Sequence, residues 1–257
     1  MIRAAVAAAA AVLVAFIVVP LVALVVHVPP AAFARAISSP AALDALRISL
    51  VTTACALALT LIFGTPLAYV LARGQFAGRG VVDAVVDLPI VVPPAAAGLA
   101  LLFAFGRFGV AGPLLDALHL RIAFTTFAVV LAQVFVGTPF YVRAARAGFT
   151  TVPRAVEEVS ATLGMGPLRT FALITVPLAM PALAGGAMLA WARALGEFGA
   201  TIMFAGNLQG VTQTLPLAVY LGLESGDLDF SGALAIVLVA IALAVAVGAR
   251  LLERRSA

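Results

Sequence analysis

Few residues in this chain can make or break bonds, and what is missing narrows the chemistry first. All 15 basic side chains are arginines; there is no lysine. That removes the GxxxxGK[ST] phosphate loop, Schiff-base chemistry and any lysine general base. His27 and His119 have no Cys, His or carboxylate cluster at metal-ligand spacing, so no metal site is expected. The single Cys55 can form no intrachain disulfide and reads as a small packed hydrophobe. No apolar run combines serine with histidine, and Asp83 and Asp87 fall at the edge of a run rather than inside one. An intramembrane hydrolase would therefore lack its nucleophile or its acid pair. Binding and mechanical roles remain. Glu157 and Glu158 stand in a charged, turn-rich segment, and Arg193 and Glu197 have the four-residue spacing of an intrahelical ion pair. Thr201, Asn207, Gln209, Thr212, Gln213 and Thr214 follow as a run of hydrogen-bonding groups, with glycines such as Gly199 allowing close backbone approach.

The elements that position these groups must sit in lipid. The 257 residues are 64% hydrophobic and 10% charged, with a mean hydropathy of +1.20. Soluble domains run at about 45–50% apolar and about 25% charged, so no aqueous fold needs this excess. A bilayer takes about 20 apolar residues per helix. Six such runs occur: Ala4–Ala34, Ile48–Ala72, Leu88–Gly106, Ile122–Val142, a segment within Thr170–Phe204, and Phe230–Ala249. The first also has the Arg3 and alanine-rich look of a signal peptide. It exceeds the about 7–15 residues of such an apolar region, so a retained helix is expected. The chain thus predicts an all-α, polytopic membrane protein of six transmembrane helices.

Arginine placement orients it. A cytoplasmic N-terminus puts Arg3, Arg73, Arg79, Arg143, Arg146, Arg154, Arg169, Arg250, Arg254 and Arg255 inside, and Arg35, Arg47, Arg107, Arg121 and Arg193 outside. That bias follows the positive-inside rule and places both termini in the cytoplasm. The formal charge of +4 is then accounted for by membrane edges, and no nucleic-acid surface is expected. Two segments, GTPLAYVLAR (64–73) and GTPFYVRAAR (137–146), are alike and end runs directed at the cytoplasm. They read as a paired hinge, an inherited repeat or a coincidence.

The cytoplasmic segment RAVEEVSATLGMGPLRTFALITVP (154–177) interrupts the apolar chain. Val156, Val159 and Leu163 recur at helical spacing, with Glu157, Glu158 and Thr162 supplying polarity. Pro153 suits a helix start and Gly164 a left-handed stop, with Gly166-Pro167 prolonging the turn. Leu168–Val176 restarts a helix, and Pro177 and Pro181 mark the way into the next span. A short helix results, with an apolar stripe for a partner, both glutamates on its rim and Ser160 open to the cytoplasm.

Glu158-Val159-Ser160, Gly164 six residues after Glu158, and Ile174-Thr175-Val176-Pro177 resemble the EAA motif of bacterial ABC-transporter permeases. Val159 and Ser160 stand in for two alanines and Val176 for a leucine. LPIVVPPAAAGLALLFAFGRFGVAG (88–112) and WARALGEFGATIMFAGNLQGVTQTLPLAVY (191–220) are similar to the molybdate and tungstate branch, with sulfate permeases as relatives. This resemblance implies a type I ABC importer permease fold, with a helix and loop over 1–45, a permease core over 46–250 and a cytoplasmic tail over 251–257. It makes 154–168 a coupling helix, with Glu157, Glu158, Ser160, Gly164, Arg169 and Pro177 as coupling residues. It further implies two ATP-binding cassette subunits that hold ATP and Mg, a second copy of the chain, and an extracytoplasmic substrate-binding protein. The chain itself would hold no cofactor and catalyse nothing. Its substrate would be a tetrahedral oxyanion, molybdate first, with tungstate, sulfate or thiosulfate as alternatives. A hydrated dianion needs N–H groups, hydroxyls and arginine rather than deep carboxylates, which points to Gly199, Thr201, Thr212 and Thr214 as pathway residues or as builders of an extracytoplasmic turn, while Arg193 and Glu197 read as an outer gate or as a pair that stabilises the helix. Arg193 and Glu197 share a face only if the fifth span runs on through Phe204. A membrane-embedded enzyme and a passive channel are the rival readings, and neither accounts for the EAA-like spacing.

Overall fold

The computed structural model describes residues 2–255, and they are helical almost throughout. The chain opens with α1 (Ile2–His27), which ends where Pro29 and Pro30 exclude further helix. The first apolar run is therefore not one helix to Ala34, because a short amphipathic α2 (Pro30–Ile37) follows and buries Ala32 and Ala36. Next come α3 (Pro40–Arg73), α4 (Arg79–Val91), α5 (Pro94–Phe105), α6 (Gly112–Ala117) and α7 (Thr126–Thr151). A small helix, α8 (Arg154–Thr162), precedes α9 (Pro167–Thr170), a π turn (Phe171–Thr175) and α10 (Val176–Leu195), which stack end to end. The chain closes with α11 (Gly199–Ala205), α12 (Leu215–Glu224) and α13 (Leu228–Arg255). The expected tail over 251–257 is helical as far as Arg255, and Ser256 and Ala257 lie outside the described residues.

Among the described residues, five helices or helix stacks are long and apolar enough to cross a membrane: α1, α3, α7, the stack Pro167–Leu195 and α13. The pair α4–α5 makes a sixth if counted as one span, but it bends by 118° at its break. The expected continuous span Leu88–Gly106 is thus corrected. Val92 and Pro93 each precede a proline, which holds both in extended backbone and parts the two helices.

The core lies where α3, α7 and α10 meet. Tyr141, Phe149, Leu71 and Leu183 are buried there, with Ala68, Ala145 and Ala190 between them. α7 and α10 approach through small residues. A Cβ on Gly148 would lie 2.4 Å from the Ala182 Cβ, and one on Gly186 2.7 Å from the Ala144 Cβ. Lipid provides little hydrophobic drive between helices, so close backbone packing of this kind holds the bundle together. The two similar GTP segments lie side by side: Gly64 fits beneath the Tyr141 ring, and the Thr65 and Tyr141 hydroxyls are 2.6 Å apart.

Candidate functional site

At one end of the bundle, α8 projects from the chain between α7 and the fifth span. Pro153 starts it. It stops in a Schellman arrangement: Gly164 has φ +81°, its N–H donates to the Ala161 carbonyl (3.0 Å), and the Met165 N–H donates to the Ser160 carbonyl (3.1 Å). Val159 and Leu163 are 57% and 78% exposed, so the apolar stripe has no partner within the chain. Glu158 and Arg169 are exposed around it. Pro177 is exposed in the first turn of α10.

Glu157 and Ser160 turn the other way, so the expectation that both glutamates form the rim holds for Glu158 alone. Glu157 Oε1 accepts from Arg73 Nη2 at 3.1 Å and from Thr175 Oγ1 at 2.8 Å, and its side chain is only 17% exposed. Ser160 is 2% exposed, and its hydroxyl lies 2.7 Å from that of Thr170, so it is not open to the cytoplasm as expected. The reason lies elsewhere in the chain: α3 ends beside α8 and presents Arg73, whose Nη2 also donates to the Val152 carbonyl (2.8 Å). Arg154 returns the contact by donating to the Arg73 carbonyl at 3.3 Å. Two further ion pairs fasten α4 to α7 near this end. Arg143 meets Asp87 through two hydrogen bonds of 2.6 and 2.8 Å, and Arg146 meets Asp83.

At the opposite end, α10 stops at Leu195 and does not run through Phe204. The Arg193–Glu197 pair forms nonetheless, with Arg193 Nη2 2.7 Å from Glu197 Oε2. It bridges a helix break rather than lying along one face. Arg193 sits in the last turn of α10, where a cation meets the negative helix end. Glu197 accepts from the Ala200 N–H (2.7 Å) in the first turn of α11, where an anion is favoured. Glu197 is 1% exposed. The polar run after it is built inward. The Thr212 hydroxyl accepts from the Leu208 N–H (2.9 Å), and Gln213 Nε2 donates to Asn207 Oδ1 (2.9 Å). Ser49 on α3 accepts from the Leu215 N–H (2.7 Å). Thr201 and Thr214 are buried as well, while Gln209 is exposed. A Cβ on Gly199 would meet Pro94 at 2.7 Å, so this glycine serves the packing of α11 on α5.

None of the six pathway candidates lines the cavity after α5 or the small one beside Asp44 and Arg47. The larger, about 740 Å³, lies under the loop after α5 and includes Phe105, Arg107, Asp116, Arg121 and Phe124 in its wall. His119 and Phe124 hold left-handed backbone there, with φ of 54° and 59°. Sequence spacing gave no sign of this cavity, because Arg107 and Arg121 are brought together only by the turn between them.

Lipid-length helices, small-residue seams and an exposed amphipathic helix tied to the bundle are the marks of a multi-pass membrane protein. The chain belongs to the binding-protein-dependent transport system inner membrane component family, whose model matches residues 64–257. It is similar to the molybdenum transport system permease protein ModB of Mycobacterium tuberculosis, 43% identical over 238 residues that cover 91% of this chain and 89% of that protein. It is also similar to a probable sulfate transport system permease protein, cysT, of Nephroselmis olivacea, 36% identical over 204 residues, 79% of this chain and 71% of that one. Its fold matches a bacterial alginate ABC transporter crystallised with an alginate pentasaccharide-bound periplasmic protein. There the TM-score is 0.74 at 19% identity, with 99% of this chain and 94% of the other covered.

The chain is therefore an inner-membrane, multi-pass permease component of an ABC transporter. ATP hydrolysis belongs to a different subunit, and the chain is the inner-membrane component of a binding-protein-dependent transport system. The enzyme and passive-channel readings are set aside by this membership.

Proposed function

We propose that this chain is the permease through which an ATP-driven importer passes a tetrahedral oxyanion, molybdate first. The observation that carries the substrate is the 43% identity to a molybdenum permease along 91% of the chain, against 36% and 39% to two sulfate relatives along 79% and 69% of it. The permease core over 46–250 would act as a homodimer, because one copy leaves a pathway with a single wall. Two cassette subunits would bind ATP and Mg and grip α8 of each copy. Both termini would face the cytoplasm, as the arginine bias requires. Arg193 is the pathway candidate with the most support, since its side chain keeps 28% exposure while Glu197 and Thr212 hydrogen-bond within the loops beside it. Selectivity would rest with the extracytoplasmic binding protein. Tungstate is compatible with the same reading, and the sulfate relative keeps sulfate or thiosulfate as the second one.

Radiolabelled molybdate uptake in cells lacking the chain tests this. Restoring the chain should restore uptake, tungstate should compete, and excess sulfate should not. Equal competition by sulfate would move the assignment to the sulfate branch.

A further inference from the structure

The contacts behind α8 carry a second inference, which rests on the reading of α8 as the ATPase-docking helix. Four polar side chains join α8 to the start of the fifth span in two rungs: Glu157 to Thr175, and Ser160 to Thr170. On α8 the two members are three residues apart and share a face, as helix geometry dictates. On the other side they are five residues apart. In an α-helix, at about 100° per residue, Thr170 and Thr175 would point about 140° away from each other, and only one could face α8. The π turn over Phe171–Thr175 removes that conflict, because its wider i→i+5 winding returns to nearly the same face after five residues. Both threonines are buried and both meet α8. Phe171, in the same turn, packs edge-on against Tyr69 of α3 at 4.8 Å, between ring centroids, and near Phe149 of α7. Arg73 then draws α3 into the Glu157 rung.

We propose that the π turn and these four side chains form a clasp that makes α8, α3 and the fifth span move as one body. Glu157 is a positioning residue within it, and the outward residues of α8 do the docking. The clasp would be where a displacement of α8 becomes a displacement of the spans. The π turn, an otherwise rare element, supplies the register that the clasp needs.

The reconstituted transporter, with its ATPase and binding protein, tests this through ions moved per ATP hydrolysed. Thr175→Val keeps shape and removes the donor. It should leave ATPase association unchanged and lower uptake per ATP by about tenfold, within the range of a coupling free energy between sites. Thr175→Ser should retain coupling. Arg73→Glu and Glu157→Arg should each uncouple, and combining them should recover uptake well above either alone. Wild-type coupling in Thr175→Val would overturn the clasp, as would loss of ATPase association in that variant, which would make Thr175 part of the docking surface. An unaltered chain that fails to bind the ATPase would overturn the docking reading of α8 itself, and the clasp with it.

Discussion

The two ends of this bundle use polar residues in opposite ways. At the α8 end, ion pairs join positions far apart in sequence: Arg73 with Glu157 across 84 residues, Arg146 with Asp83 across 63, and Arg143 with Asp87 across 56. At the opposite end the ion pair is local, Arg193 with Glu197, and many of its neighbours are short-range loop contacts. Long-range pairs lock separate helices into a body that can be pushed. Local ones shape a loop, and here neutral hydrogen bonds such as Leu215 to Ser49 and Thr126 to Val211 tie that loop to α3 and α7. On the proposed reading, the α8 end transmits displacement through charged pairs between helices, while the other end holds a shaped, buried turn.

Substitutions can break or sharpen that contrast. Gly164→Val should have the largest effect. No atom lies within 4 Å of the Cβ it would add, so the penalty is conformational alone: valine is strongly disfavoured at φ +81°. Membrane insertion should survive while uptake falls below about a tenth, through redirection of the chain after α8. At the other end, Glu197→Ala should act on stability. Leaving Arg193 and the Ala200 N–H without their partner should cost about 2–4 kcal/mol, read as earlier thermal unfolding in detergent. A variant that unfolds normally but loses uptake would instead give Glu197 a direct part in the pathway.

Glu158→Arg probes the docking rim. Reversing an exposed charge on α8 should weaken ATPase association by about tenfold in a pull-down, equivalent to about 1.4 kcal/mol, with normal expression. Unchanged association would mean that Glu158 faces water in the assembled transporter. The smallest effect is expected from Asp87→Asn. Its partner Arg143 is well exposed, and α4 is also held by Val82 and Val86 against the core. Thermal unfolding should shift by no more than about 2 °C.

How far the sequence revealed this follows the reach of each signal. The limits of α8 were legible from proline and glycine, which act on their own neighbours: Pro153 opens the helix and Gly164 closes it, so it ends at Thr162, short of the 154–168 that the resemblance implied. The bend between α4 and α5 also had a local cause in Pro93 and Pro94, but a hydropathy reading passes over prolines inside an apolar run. The end of α10 at Leu195 was hidden for the same reason, since Gly199–Phe204 is as apolar as the span before it. The inward turn of Glu157 and Ser160 was not legible. It depends on Arg73 and on a π turn, and neither leaves a mark at positions 157 and 160. The threonines among the pathway candidates read in the sequence as hydroxyls near glycines; in the fold the Thr212 hydroxyl accepts from the Leu208 N–H of its own loop.

The central claim is that α8 is the surface on which the ATPase acts. Its most direct test is a cross-link from Val159→Cys, made after Cys55→Ser so that the new thiol is the only one, in membranes holding the assembled transporter. Val159 is suited to this because it is exposed on the outward stripe, whereas Ser160 is buried. The account predicts a covalent adduct with the ATPase subunit that changes in yield when ATP is bound, together with labelling by impermeant thiol reagents only from the cytoplasmic side. No adduct in an active complex, or labelling of intact cells from outside, would contradict it.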